Sequence, residues 1–154
     1  MKQLHHLITE LESKITHHHV TNLSISKSSV GWHIEHSLKT IDQIVSATKN
    51  SNPLAYKWKF NFKRVLILHL LQKIPRGKAK APKVVQPEGE INQKTLVESV
   101  SKVKENILPW KELDKNINFQ HPIFGLLNKK ETETFLVLHT KHHLMIIQDI
   151  LKSI

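Results

Sequence analysis

Residues 29–45 read SVGWHIEHSLKTIDQIV, and this stretch decides the fold. Val30, Ile34, Leu38, Ile41, Ile44 and Val45 return at spacings of three and four, the period of a single apolar face on an α-helix. Ser28 or Ser29 can cap its start, and Asn50-Ser51-Asn52-Pro53 stops it. The same period runs through Leu4, Leu7, Ile8, Leu11 and Ile15, predicting a first helix over about Lys2 to His17, before a linker from Asn22 to Ser29. It runs again through Leu96, Val100, Val103 and Ile107, a helix from about Asn92 to Leu108 that Pro109 ends or kinks. A last helix is expected from Asn128 or Lys129 to Lys152, with Phe135, Leu136, His139, His143, Ile146, Ile147 and Ile150 on one face.

Two segments between these helices are less regular. Tyr56 to Lys63 alternates strictly, as a strand does, and runs into Val65-Leu66-Ile67-Leu68. No second convincing strand exists to pair with it, and an unpaired strand strands its backbone groups, so an extra helix is the expectation. From Ile74 to Ile91 the chain carries three Pro and two Gly and is expected to cross the surface as an extended connection. The expected architecture is therefore all-α, an antiparallel four-helix bundle with an extra short helix and a long crossover, spanning 1–154 as a single domain.

Composition narrows the chemistry. The 154 residues contain no Cys, which excludes disulfides, thiolate nucleophiles and Cys-ligated zinc, and twelve His, which therefore carry any metal reading. The formal charge of +10 is localised: residues 43–87 hold ten Lys or Arg and no acid. Only two of the 23 basic residues are Arg, which argues against a reader of base sequence and leaves a generic anion-attracting surface. No apolar run is long enough to span a bilayer and the N-terminus lacks a secretory pattern, so a cytoplasmic protein without a membrane partner is expected.

His139 and His143 stand at i and i+4 on a core-facing stripe, the spacing that lets one ion take both rings. A third ligand must come from another helix. The helical wheel sets His33 at the edge of the apolar stripe of its helix and turns His36 away, so His33 is the expected ligand and His36 the alternate. Three ligands would leave a coordination position open, as in catalytic sites. No general base is evident, because Glu35 falls on the outer face. His142 and His121 are candidates for the cavity rim, while His17-His18-His19 and His69 read as structural. Trp58, Phe60 and Phe62 among Lys57, Lys59, Lys63 and Arg64 are packing candidates or a stacking platform for nucleic acid.

WHIEHSL at 32–38, HPIFG at 121–125 and HTKHHL at 139–144 together resemble the DinB-like superfamily, in particular a bacterial branch with an HPxFG segment followed by HxxHH. The likeness spans about Ser29 to Ile150. It implies a four-helix bundle holding a divalent metal, zinc or nickel, on one His of the second helix and the HxxxH pair of the last, here His139 and His143. The family's first His is followed by an aliphatic residue, which His33-Ile34 matches and His36-Ser37 does not. Members with assigned activity are similar to thiol-dependent S-transferases or maleylpyruvate isomerases. The expected function is thus a metal-dependent enzyme, a transferase or hydrolase, taking a small-molecule substrate and a low-molecular-weight thiol, with a homodimer allowed for. The competing expectation is a metal-free helical binding module whose basic segment 43–87 meets nucleic acid or another anionic partner.

Overall fold

The computed structural model describes residues 1–76 and 82–152. Four long helices surround one core: α1 (Lys2–Glu12), α2 (Val30–Lys49), α4 (Gln93–Asn106) and α5 (Lys129–Lys152). α2 packs on both α5 and α4, and α1 closes the other side against the same two helices. The chain is mostly helical, and among the described residues no helix is long and apolar enough to cross a membrane. Ser29 caps α2 by accepting from the Trp32 amide at 3.2 Å. Asn92 and Thr95 form a reciprocal capping box on α4. The first helix is shorter than its apolar pattern, ending at Glu12 before a separate turn at Ile15–His17.

Two expectations are corrected. A paired sheet does exist: β1 (Asn118–His121) and β2 (Gly125–Asn128) form an antiparallel hairpin with Phe119 opposite Leu127. Each strand has only four residues, too few for alternation to register, and the turn depends on Gly125 at φ +72°, a conformation a β-carbon would strain. The hairpin is tied to the end of α2 where the Asn118 amide donates to Ser51 Oγ at 2.8 Å. The extra helix also begins later than its apolar pattern suggests. Residues 56–60 are not helical; α3 starts only at Phe62 and continues from Val65 to Leu71 with the wider π winding, ending at Gln72 in the left-handed region. Of the expected crossover 74–91, residues 77–81 lie outside the described residues, and Lys83–Val85 make a short turn.

Arg64 explains why the alternating segment needs no partner strand. It is 1% exposed and donates to the Lys59 carbonyl and, at 2.8 Å, to the Leu126 carbonyl of the hairpin. Its Nε lies 3.5 Å from Glu131 Oε1. Glu131 in turn accepts from the Asn128 amide at 3.0 Å while Asn128 caps the Glu131 amide at 2.9 Å, so one buried cation joins segment 59, the hairpin and the start of α5. Arg64→Ala removes the buried counter-charge of Glu131 and the guanidinium donor of two carbonyls, and should cost about 3 kcal/mol or more. Lys59→Ala, which keeps the carbonyl, should stay within about 0.5 kcal/mol in the same urea titration.

Candidate metal centre

The α2–α5 contact brings the candidate histidines together. The Nδ1 of His36 lies 2.8 Å from the Val85 carbonyl oxygen. A carbonyl only accepts, so this nitrogen carries the proton and Nε2 keeps its lone pair. The ring is stacked on Trp32 at 4.9 Å between centroids. Across the helix interface, His36 lies 5.1 Å from His139 and 4.7 Å from His143, centroid to centroid. His36, His139 and His143 each offer a ring nitrogen, and these nitrogens lie within 4.8 Å of one another, close enough for one ion to take all three. His139 Nδ1 is sealed from solvent without a hydrogen-bond partner among the described residues, which is costly for a buried polar atom and leaves it a lone pair or proton to share.

His36 therefore stands in the group where His33 was expected. His33 is buried as the wheel places it, at 4% exposed, but so is His36, at 3%, because the buried face of α2 is wider than its apolar stripe. Ser37, Thr40 and Thr48 are buried too, each donating its hydroxyl to the carbonyl one turn back, and their burial carries the inward face round to His36. His33 lies behind the group instead. Its Nδ1 is 3.0 Å from His143 Nδ1, and its Nε2 is 2.9 Å from Ser26 Oγ. One of the two facing Nδ1 atoms must donate. When it is that of His143, His143 Nε2 has its lone pair free and His33 passes its own proton-bearing Nε2 to Ser26.

The rings are neutral near pH 7. Burial, then repulsion from His36, His142 and Arg76, lowers His33 to about 4. Burial and the neighbouring imidazoles drive His139 and His143 further down, and burial outweighs the Val85 hydrogen bond in lowering His36. Among the described residues no carboxylate lines the site to offset this: Glu35 is half-buried with Oε2 unpartnered there, and it is not in the wall. His17, His18 and His19 stand apart from the group, and His69 lies 3.9 Å from Glu131.

A cavity of about 430 Å³ opens beside the three histidines, with His121 and His142 in its wall. Its walls are otherwise mainly apolar, with Trp32, Ile44, Phe119, Phe124 and Phe135 prominent, and none of the described lining residues is Asp, Glu, Lys or Arg. The Val85 carbonyl and Ser26 were not foreseen. A backbone oxygen in a Pro-rich connection and a Ser in a linker carry no signal of their own in sequence.

Comparison with family models, with curated proteins and with solved structures finds no match to this chain.

The lowered histidines set the direction of a pH effect. Above pH 6.5 the rings are neutral folded or unfolded; below it the unfolded chain takes up protons that the buried rings refuse, until the folded values near 4 are reached. Stability should thus fall as pH drops through this window, by about 1.4 kcal/mol per pH unit for each such histidine. Thermal midpoints measured at pH 7.5 and pH 5 check this, and equal values would contradict neutral burial.

Proposed function

We propose that the protein is a divalent-metal-dependent enzyme with a DinB-like four-helix bundle, in which His36, His139 and His143 hold zinc or nickel at the inner end of the cavity. The observation that carries this reading is the meeting of three neutral imidazoles, one with a sealed and unpartnered nitrogen, on two helices that share no other polar cluster of this kind among the described residues. Neutral nitrogen donors without carboxylates suit these borderline metals better than magnesium or calcium. When bound, the ion supplies Lewis acidity and lowers the pKa of a thiol or water at its open position.

The chain's own residues do the rest. The Val85 carbonyl fixes the tautomer and plane of His36, and the His33–Ser26 pair does the same for His143, as outer partners of metal-ligating histidines do. The apolar wall limits water at the open position. The described lining residues include no carboxylate base, and a bound ion would supply the activation of a thiol or water that such a base otherwise gives, which fits a thiol-dependent transferase or a hydrolase. The substrate is a small molecule, and a low-molecular-weight thiol is the proposed nucleophile.

Metal analysis of protein made without a tag tests the reading. About one equivalent of zinc or nickel is expected after supplementation, and less than about a tenth would count decisively against it, because a site of three histidines retains metal through ordinary handling. His36→Ala, His139→Ala or His143→Ala should abolish stoichiometric binding. His33→Ala should keep the stoichiometry and weaken affinity about 10–100-fold, while His142→Ala and His17→Ala leave both unchanged.

A second reading is favoured by one surface. Trp58, Phe60 and Phe62 are 60%, 67% and 65% exposed, between Lys57, Lys59 and Lys63, and the Arg64 guanidinium sits 5.6 Å from the Trp58 ring. Exposed aromatic faces with lysines between them suit stacked bases on a phosphate chain. Binding of single-stranded nucleic acid that falls steeply with salt and is lost in Trp58→Ala would support this surface; no binding at low salt would reject it.

A further inference from the structure

The HPIFG segment builds a feature that the metal reading does not use. His121 Nδ1 accepts from the Ile123 amide at 3.1 Å and from the Phe124 amide at 3.2 Å. Two donors on one ring nitrogen require it to be unprotonated, so the neutral ring must carry its proton on Nε2. The turn enforces this. His121 and Gly125 face each other as the last pair of the hairpin, and the positive φ of Gly125 reverses the chain so that both amides point back at the ring. Phe124 stacks on one face of the imidazole at 4.5 Å and Phe135 meets it at the same distance nearly edge-on, which fixes the ring plane. Burial lowers this histidine to about 4, so it does not become a cation near neutral pH.

The Nε2–H has no hydrogen-bond partner among the described residues. It is also not among the sealed unpartnered atoms, which are Glu35 Oε2, Trp110 Nε1 and His139 Nδ1. His121 lines the cavity and is 8% exposed, so the free donor belongs to the cavity wall and not to the outer surface. The Thr40 hydroxyl is committed to the His36 carbonyl at 2.8 Å, so besides His121 the polar side chains of the described wall include Gln43 and the other imidazoles. At about 430 Å³ the cavity is about three times the ~150 Å³ that accepts benzene, room for a flat molecule of two fused rings. None of the described lining residues is a carboxylate, so a cationic occupant would be desolvated without a counter-charge.

We propose that the cavity binds a small, flat, largely apolar carbonyl compound whose oxygen accepts from His121 Nε2–H, a neutral donor locked by the HPIFG turn. This deepens the proposed enzyme by naming its substrate class. It rests on the same cavity, but the recognising group is not a metal ligand, so the two readings can fail separately. His121 is a substrate-binding residue in this scheme, and the carbonyl carbon is the position that a nucleophile activated at the histidine group would face.

Calorimetry with three probes on the full chain, as purified without a tag and again after chelation, tests the proposal. Methyl naphthyl ketone should bind about tenfold more tightly than ethylnaphthalene, the value of one neutral hydrogen bond in a closed site, and naphthylmethylammonium should not bind. His121→Asn keeps an oxygen where Nδ1 accepts the two amides and removes the Nε2 donor, so it should bind the ketone and the hydrocarbon alike. His121→Gln, which places an amide N–H near the Nε2 position, should recover part of the preference. Nitrogen-15 spectra of the imidazoles give an independent check on the unaltered chain, and should show His121 protonated on Nε2 only.

Equal affinity of the parent for ketone and hydrocarbon, no binding of either, an unchanged preference in His121→Asn, or an Nδ1-protonated His121 would each overturn the proposal, even if the chain holds its metal. A chain that holds no metal but retains the ketone preference would overturn the metal centre and leave this site standing. Should both His121 variants fail to fold, the parent's probe ratio and its imidazole spectrum still decide.

Discussion

Burying imidazoles between α2 and α5 is the constraint to which the rest of the molecule answers. An uncharged imidazole still has one donor and one acceptor, and a ring taken out of water without partners costs free energy on both. His33, His36 and His143 meet this with a serine, a carbonyl and each other. These partners come from the linker before α2, from the crossover after α3 and from the facing helix. The site thus recruits segments that have no apolar stripe of their own and would otherwise gain little by docking. His139 has a sealed nitrogen that nothing among the described residues satisfies.

A second buried polar group organises the opposite side of the cavity. Arg64 holds the segment before α3, the hairpin and the first turn of α5 in one cluster. The hairpin carries His121, Phe119 and Phe124 into the wall, while α5 carries Phe135, His139 and His143. The cavity therefore lies between elements that a single guanidinium keeps in register. Satisfied charge in this position contributes specificity of arrangement more than net stability, since a hydrophobic cluster of equal volume would bury as well and orient less.

The helices were largely legible because caps agree with periodicity at the starts of α2 and α4, whereas α1, which has no side-chain cap, ends short of its apolar pattern. Ser29 before Val30, and Asn92 with Thr95, mark helix starts by side-chain chemistry that is local and so visible in sequence. The His139/His143 pair was legible for the same reason, since i and i+4 share a face in any helix. The choice between His33 and His36 was not. It turned on hydroxyls at Ser37, Thr40 and Thr48 that bond to their own helix and so enter the core without appearing apolar. The hairpin escaped notice because its strands are short, and the non-helical stretch before α3 because its carbonyl is satisfied by a side chain rather than by a neighbouring strand.

The bond from His36 to the Val85 carbonyl has a kinetic side. It closes a loop of 49 residues, and the contact between His33 and His143 spans 110. Helices form early and locally, whereas contacts of this separation must wait until loop-closure entropy has been overcome. α2 and α5 can each wind from local contacts, whereas their histidine nitrogens converge only when the two helices pack on each other. The grouping of the three histidines is then a property of the packed molecule and not of either helix alone.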